Sequence, residues 1–129
     1  MFPAFQAIEY NVSNGGWAQL LWNCFGSWRS LLAIGADGYQ LIGLPEQVAA
    51  VKKLRQLFEK NETDCREHMR LAELEDDFSY FGKFTKRCHR DASKPWQVAL
   101  YDSEGMIEGR RNAWLEENAN RILDLLRKA

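Results

Sequence analysis

Four side-chain amides (Asn11, Asn14, Gln19 and Asn23), the carboxylate of Glu9 and the pair Gly15-Gly16 crowd a segment otherwise rich in apolar side chains. An amide both donates and accepts, and each one buried without a partner costs about 1–3 kcal/mol. The segment must therefore build an internal hydrogen-bond network or offer a polar surface to something else. In the first reading Asn14 caps a second helix, Gly15 and Gly16 let two backbones meet, and Glu9, Gln19 and Asn23 satisfy orphan groups at helix ends. In the second, Glu9, Asn14, Gly15, Gly16, Gln19 and Asn23 line a groove for a peptide, a nucleotide or a small polar ligand. Catalysis would make Glu9 a general base, its pKa raised beside Trp17 and Trp22. No partner acid, nucleophile pair or metal cluster supports that role, and no catalytic residue is assigned. Ser13, Ser27 and Ser30 have no histidine near them in sequence, and Gly15-Gly16 lacks the glycine spacing and Lys-Ser/Thr ending of a phosphate loop. We take the structural reading first and keep an enzyme or polar-ligand binder as the alternative.

Metal chemistry has one nominal donor set, Cys65 with His68 and Cys88 with His89. On one continuous helix, at about 1.5 Å per residue, the two pairs would stand roughly 35 Å apart, so we expect neither a metal nor a cofactor. Cys24, Cys65 and Cys88 are odd in number and form no CxxC pair, which favours a reducing compartment over a disulfide scaffold. Two features suit an interface: Trp96 in the Lys94-Pro95-Trp96 segment, and the carboxylates Glu75, Asp76 and Asp77 beside Glu73, which could dock a basic partner. Lys83, Lys86, Arg87 and Arg90 form a basic counterpart.

Apolar spacing supplies the elements that must position these groups. Phe2, Phe5, Ile8 and Val12 mark a first helix stopped at Ser13–Gly16, and Trp17, Leu20, Leu21, Cys24 and Phe25 mark a second whose opposite stripe holds Gln19, Asn23 and Gly26. Ser27 can cap a third short helix closed by Gly35 and Asp37-Gly38. Residues 39–44 are undecided between a helical turn and a connector. Pro45 and Glu46 open a strong helix with Val48, Val51, Leu54 and Phe58 inward. Asn61 and Asp64 resemble a new cap, followed by Leu71, Leu74, Phe78, Phe81 and Cys88 on a long stretch that Gly82 could bend. Residues 91–101 read as a loop with one short extended piece. Ser103 and Glu104 open a last helix with Ile107, Trp114, Ala119, Ile122, Leu123 and Leu126 on one stripe. The sum is an all-α fold, a single helical domain over residues 1–129 with five to seven helices and short loops.

Composition narrows the function classes. With 17 basic and 18 acidic residues and a formal net charge of −1, neither nucleic acid nor an acidic membrane is drawn by the overall field. A direct DNA contact would have to use the local Lys83–Lys94 segment. No apolar run reaches the roughly 18 residues that span a bilayer, and Glu9 interrupts the only stretch resembling a signal peptide, so a cytoplasmic location is expected.

One resemblance adds to this. Glu9, Asn14-Gly15-Gly16-Trp17, Gln19, Trp22-Asn23, Gly26 and Ile34-Gly35-Ala36 together resemble the pattern of a family of uncharacterised bacterial helical domains that includes a DNA mimic blocking a transcription factor. Leu74–Phe78 is similar to that family's acidic-aromatic helix, and Leu44–Phe58 to its middle helix. The resemblance implies a helical fold and, for most members, no assigned activity. Relatives commonly carry helical chain before the Glu, where this sequence has eight residues. Mimicry of DNA requires rows of carboxylates at phosphate-like spacing, which near-equal acid and base counts disfavour. The expectation is a non-enzymatic bacterial protein that binds a macromolecule, most simply another protein, with its partner and oligomeric state left open.

Overall fold

The computed structural model describes residues 2–88, 95–102 and 105–128. Among these the chain forms five α-helices and no strand: α1 (Phe2–Asn23), α2 (Trp28–Leu41), α3 (Pro45–Glu75), α4 (Ser79–Arg87) and α5 (Met106–Lys128), with a 3-10 turn at Pro95–Leu100 before α5. The all-α expectation holds. No helix is long and apolar enough to cross a membrane among the described residues.

α1 is two helical arms joined at Gly16, whose backbone (φ 76°, ψ −174°) lies in a region that essentially glycine alone adopts. Its apolar residues Phe5, Ile8, Val12, Trp17, Leu20 and Leu21 are all buried. Phe5 stacks face to face on Tyr39 of α2 at 4.1 Å between ring centres. α2 runs through Gly35 and Gly38, where the sequence predicted its end. A glycine inside a helix costs about 1 kcal/mol. Position 35 accepts that cost because a Cβ there would stand 2.5 Å from Ile8 Cδ1, so glycine allows α1 and α2 their close approach. Ser27 makes no side-chain cap. Residues 39–41 complete α2, and Gly43 (φ 77°) reverses the chain.

Pro45 begins α3 as expected, but α3 continues unbroken through Asn61 and Asp64 to Glu75. Asn61 donates to the Leu57 carbonyl four residues back and starts nothing. Phe58 is the hub of α3, edge-on to Trp28 at 5.4 Å and tilted to Trp17 at 6.3 Å. The chain reverses at Asp76, which takes the left-handed conformation (φ 50°), rather than bending at Gly82, which lies inside α4. That reversal folds α4 back on α3. Buried Cys88 therefore comes close enough to buried Cys65 to raise its thiol, which burial itself, the larger cause, helps push up to about 12. The long separation expected on a straight helix does not exist. The described residues still hold no group of three metal-binding side chains, and His89 lies outside them.

The extended piece predicted in 91–101 is, where described, the 3-10 turn, and Ser103 and Glu104 lie outside the described residues. At the start of α5 the Asp102 carboxylate accepts from the Ile107 and Glu108 amides at 2.7 and 3.1 Å. Only the first half of the predicted α5 stripe is used: Ile107 is buried and Trp114 packs on the core, whereas Leu123 and Leu126 are exposed.

Candidate functional site

The amide network assembles because α1 folds back at Gly16. In a straight helix Asn11 and Asn23 would be about 18 Å apart. Here Asn23 Nδ2 donates to Asn11 Oδ1 at 2.9 Å, and Gln19 Nε2 donates to the same oxygen at 3.2 Å. Asn11 Nδ2 in turn donates to the Ala7 carbonyl at 2.8 Å. Buried Asn11 is thus the hub, taking two donors on one oxygen and pinning the arms of α1 together. Gly15 is part of the same fit, since a Cβ there would overlap Gln19. Asn14 is exposed and donates to Gln19 Oε1 at 3.4 Å, a peripheral bond that does not cap the second arm.

That cap comes from far along the chain. The Trp17 amide, the first of the second arm, donates to Oε1 of Gln97 at 3.2 Å, and Gln97 is fully buried. A helix start within a core needs an acceptor, and a residue eighty positions away provides it. Nothing in the local sequence signals this pairing.

Glu9 leaves the amides altogether, lying on the other side of the first arm. Its Oε2 accepts from the Tyr39 hydroxyl at 2.7 Å. Burial raises the Glu9 pKa, with the Tyr39 bond and nearby Arg111 pulling the other way and Asp102 and Glu108 adding to the rise. Burial also raises the Tyr39 phenol, and the adjacent Glu9 carboxylate raises it further. Close by, Arg110 of α5 donates to the Ile42 carbonyl from Nε at 3.3 Å and from Nη2 at 3.0 Å, closing the end of α2. Glu9, Tyr39 and the start of α5 join three helices.

The α3–α4 turn differs. Where α3 turns into α4, a groove of 770 Å³ opens between α1, α3 and α4, with Trp22, Phe25, Met69, Phe78 and Phe81 among its apolar walls and Asn23 at one edge. Trp22 meets Phe81 edge-on at 5.4 Å, which gives the floor a fixed shape. Phe78 is 91% exposed and Leu74 71%, although both were predicted to face inward. Leu74 lies within continuous α3, on the side opposite its buried stripe of Val51, Leu54, Phe58 and Cys65, and the turn at Asp76 resets the phase for Phe78. Glu73, Asp76 and Asp77 line the groove. Asp77 Oδ1 accepts from the Ser79 amide at 2.9 Å and so starts α4, while Glu75 accepts from the Tyr80 hydroxyl outside the groove. The predicted interface residue Trp96 sits elsewhere, half-buried, with Lys53 Nζ 5.8 Å over its ring. The structure thus brings Asp76 and Asp77 to one site with Phe78 and Trp22, sets Glu75 beside it, and leaves Trp96 apart.

A family model described as DMP19-like protein matches residues 1–118. The chain belongs to the DMP19-like family. No curated protein and no solved structure matched it. The matched segment contains both the amide network and the groove, and it ends within α5, before Leu123, Leu125 and Leu126.

Two groups of carboxylates on α3 and its end differ in this DMP19-like protein. From Glu59 to Glu67 they are paired: Glu59 with Arg55 at 3.1 Å, Glu62 with Arg29 at 2.6 Å and Arg66 at 3.0 Å, Glu67 with Arg70 at 2.6 Å, and Asp64 with Arg87 at 3.4 Å. At the turn, Glu73, Glu75, Asp76 and Asp77 form no ion pair among the described residues. Arg66 and Arg70 line the groove as well, bonded to Glu62 and Glu67, so the acids left without an ion pair on its wall are Glu73, Asp76 and Asp77.

Proposed function

We propose that this DMP19-like protein works by binding another protein, and that the groove between α1, α3 and α4 receives an amphipathic helical segment with apolar anchors and flanking Lys or Arg. The observation that carries this reading is Phe78, 91% exposed beside an aromatic-walled groove lined by Glu73, Asp76 and Asp77, whose two arginines, Arg66 and Arg70, are already bonded to Glu62 and Glu67. A large exposed ring beside an open apolar groove has a cost in water that a partner would remove. Helix-in-groove recognition uses such a surface, with apolar residues at i and i+3 or i+4 for affinity and charge for specificity.

Two comparisons within the molecule support this choice. Asn11, Gln19 and Asn23 bond one another, which leaves fewer of their donors and acceptors for the polar ligand of the alternative reading. Phosphate mimicry would need rows of unpaired carboxylates, and those from Glu59 to Glu67 on α3 are neutralised by arginines at 3.4 Å or less.

Calorimetric titration with a helical Leu/Lys peptide and its Leu/Glu counterpart tests the proposal. The basic peptide should bind, with affinity falling as salt rises, and the acidic one should not. Phe78→Ser should remove the binding, and Asp76→Asn should weaken it. Equal binding of the two peptides, or undiminished binding by Phe78→Ser, would overturn the assignment.

A further inference from the structure

Between the start of α3, the 3-10 turn and the start of α5 lies a cavity of 560 Å³ that neither the amide network nor the groove uses. Gln47, 2% exposed, forms part of its wall. Its Nε2 donates to the Ala99 carbonyl at 3.1 Å, and its Oε1 accepts from no described residue. The sealed, unpartnered side-chain polar atoms among the described residues are the indole nitrogens of Trp17 and Trp28, so this oxygen is open to the cavity that Gln47 lines. A nearly buried acceptor is costly to leave without a donor, which marks the cavity as a place where a donor arrives.

The charges around that oxygen select the donor. Gln47 meets Ala99, and Lys53 Nζ stands 5.8 Å over the Trp96 ring, so the 3-10 segment runs antiparallel to α3. Asp102 therefore falls at the Glu46 end of the cavity, and Lys53 lies about 10 Å further along α3. Neither Glu46 nor Asp102 has an ion pair among the described residues, and Asp102 keeps lone pairs beyond the two α5 amides it accepts from. An anion would be repelled at this end. A bare metal ion would lack ligands, since the described residues hold no group of three metal-binding side chains and Ala50, Ala99, Met106 and Ile107 make the remaining wall largely apolar. We propose that the cavity binds a small primary amine, its ammonium among Gln47 Oε1, Glu46 and Asp102 and its apolar body along the wall toward Trp96. An ammonium carries three N–H donors, one for each of these acceptors.

Titration of the full chain with n-hexylammonium tests this, followed by NMR at the Gln47 side-chain amide and the Ile107 backbone amide. Both signals should shift and saturate with a dissociation constant in about the millimolar range, the strength open to so few non-hydrogen atoms. Hexanol should bind at least about tenfold more weakly, the worth of a charge-assisted bond, and hexanoate should not bind. Glu46→Lys, at an exposed position, should weaken the amine about tenfold with an unchanged circular-dichroism melt. Asp102→Asn should weaken it by about as much, because the amide still accepts from α5 but carries no charge. Gln47→Met should remove binding. If its lost bond to Ala99 lowers the melt, the other two variants decide. Phe78→Ser should change nothing, which separates this site from the groove. An absence of shifts at both amides, equal binding of hexanol, full affinity in both Glu46→Lys and Asp102→Asn, or loss of binding with Phe78→Ser would each overturn the proposal.

Discussion

The amide network and the α3–α4 turn treat their unusual residues in opposite ways. Around Gly16 and Tyr39 the polar groups close on one another: two amides meet the oxygen of Asn11, Gln97 caps the second arm and Tyr39 donates to Glu9. Around the α3–α4 turn the ring of Phe78 stands in solvent, and Glu73, Glu75, Asp76 and Asp77 form no ion pair among the described residues. The contrast separates scaffold from surface. Residues that are chemically rich but mutually satisfied hold helices together, and residues left unsatisfied mark where something else binds.

If that distinction is right, substitutions on the first side should cost stability and those on the second should not. The largest loss is expected for Gly16→Ala, which forces a Cβ into a backbone conformation essentially reserved for glycine. About 2–3 kcal/mol should disappear from the urea-unfolding free energy. A loss under about 0.5 kcal/mol, the size of an ordinary surface change, would mean that the fold-back is not held at Gly16.

Tyr39→Phe should cost about 1–2 kcal/mol at neutral pH, because half-buried Glu9 loses its donor. The pH dependence has a definite sign. Burial raises the Glu9 pKa, so the folded state holds that proton more tightly than the unfolded chain does. The Glu9 contribution is therefore complete below the ordinary value of 4.5 and fades as pH rises through the higher folded value. Removing the Tyr39 bond, which lowers the pKa, should extend that fading to higher pH. Glu9→Gln should abolish it. Melting curves between about pH 4 and 8, the range in which a raised carboxylate titrates, would show both effects.

Asn11→Ala should cost about 1 kcal/mol, since Gln19 and Asn23 can turn part of their freed donors to water. Asn14→Ala, at the exposed edge, should cost less than about half that. Equal losses would contradict the placement of Asn11 at the centre. The smallest change belongs to Phe78→Ser, expected within about 0.5 kcal/mol of wild type even as it removes peptide binding.

Much of this was legible in the chain itself. The helical class follows from three- and four-residue apolar spacing, Pro45 opened its helix, and the break at Gly15-Gly16 was visible from glycine chemistry. Local signals misled wherever packing overrode them. Gly35 reads as a stop until Ile8 is seen against it, and Asn61 reads as a cap until α3 is seen to continue. Leu74 reads as core if a new helix starts at Asn61, but in continuous α3 it faces away from Phe58 and Cys65, and Phe78 reads as core until the left-handed Asp76 resets the phase.

The sequence by itself determined the helical class and that the region from Glu9 to Asn23 must resolve its amides, because helical periodicity and the cost of unpaired polar groups are local properties. Tertiary structure alone decided the partners: Asn11 rather than Asn14 at the hub, Gln97 at the start of the second arm, Tyr39 on Glu9, and Phe78 outside. Those choices depend on which distant elements arrive at each helix end, and a hydrogen bond acts over a few ångströms of space whatever the distance along the chain.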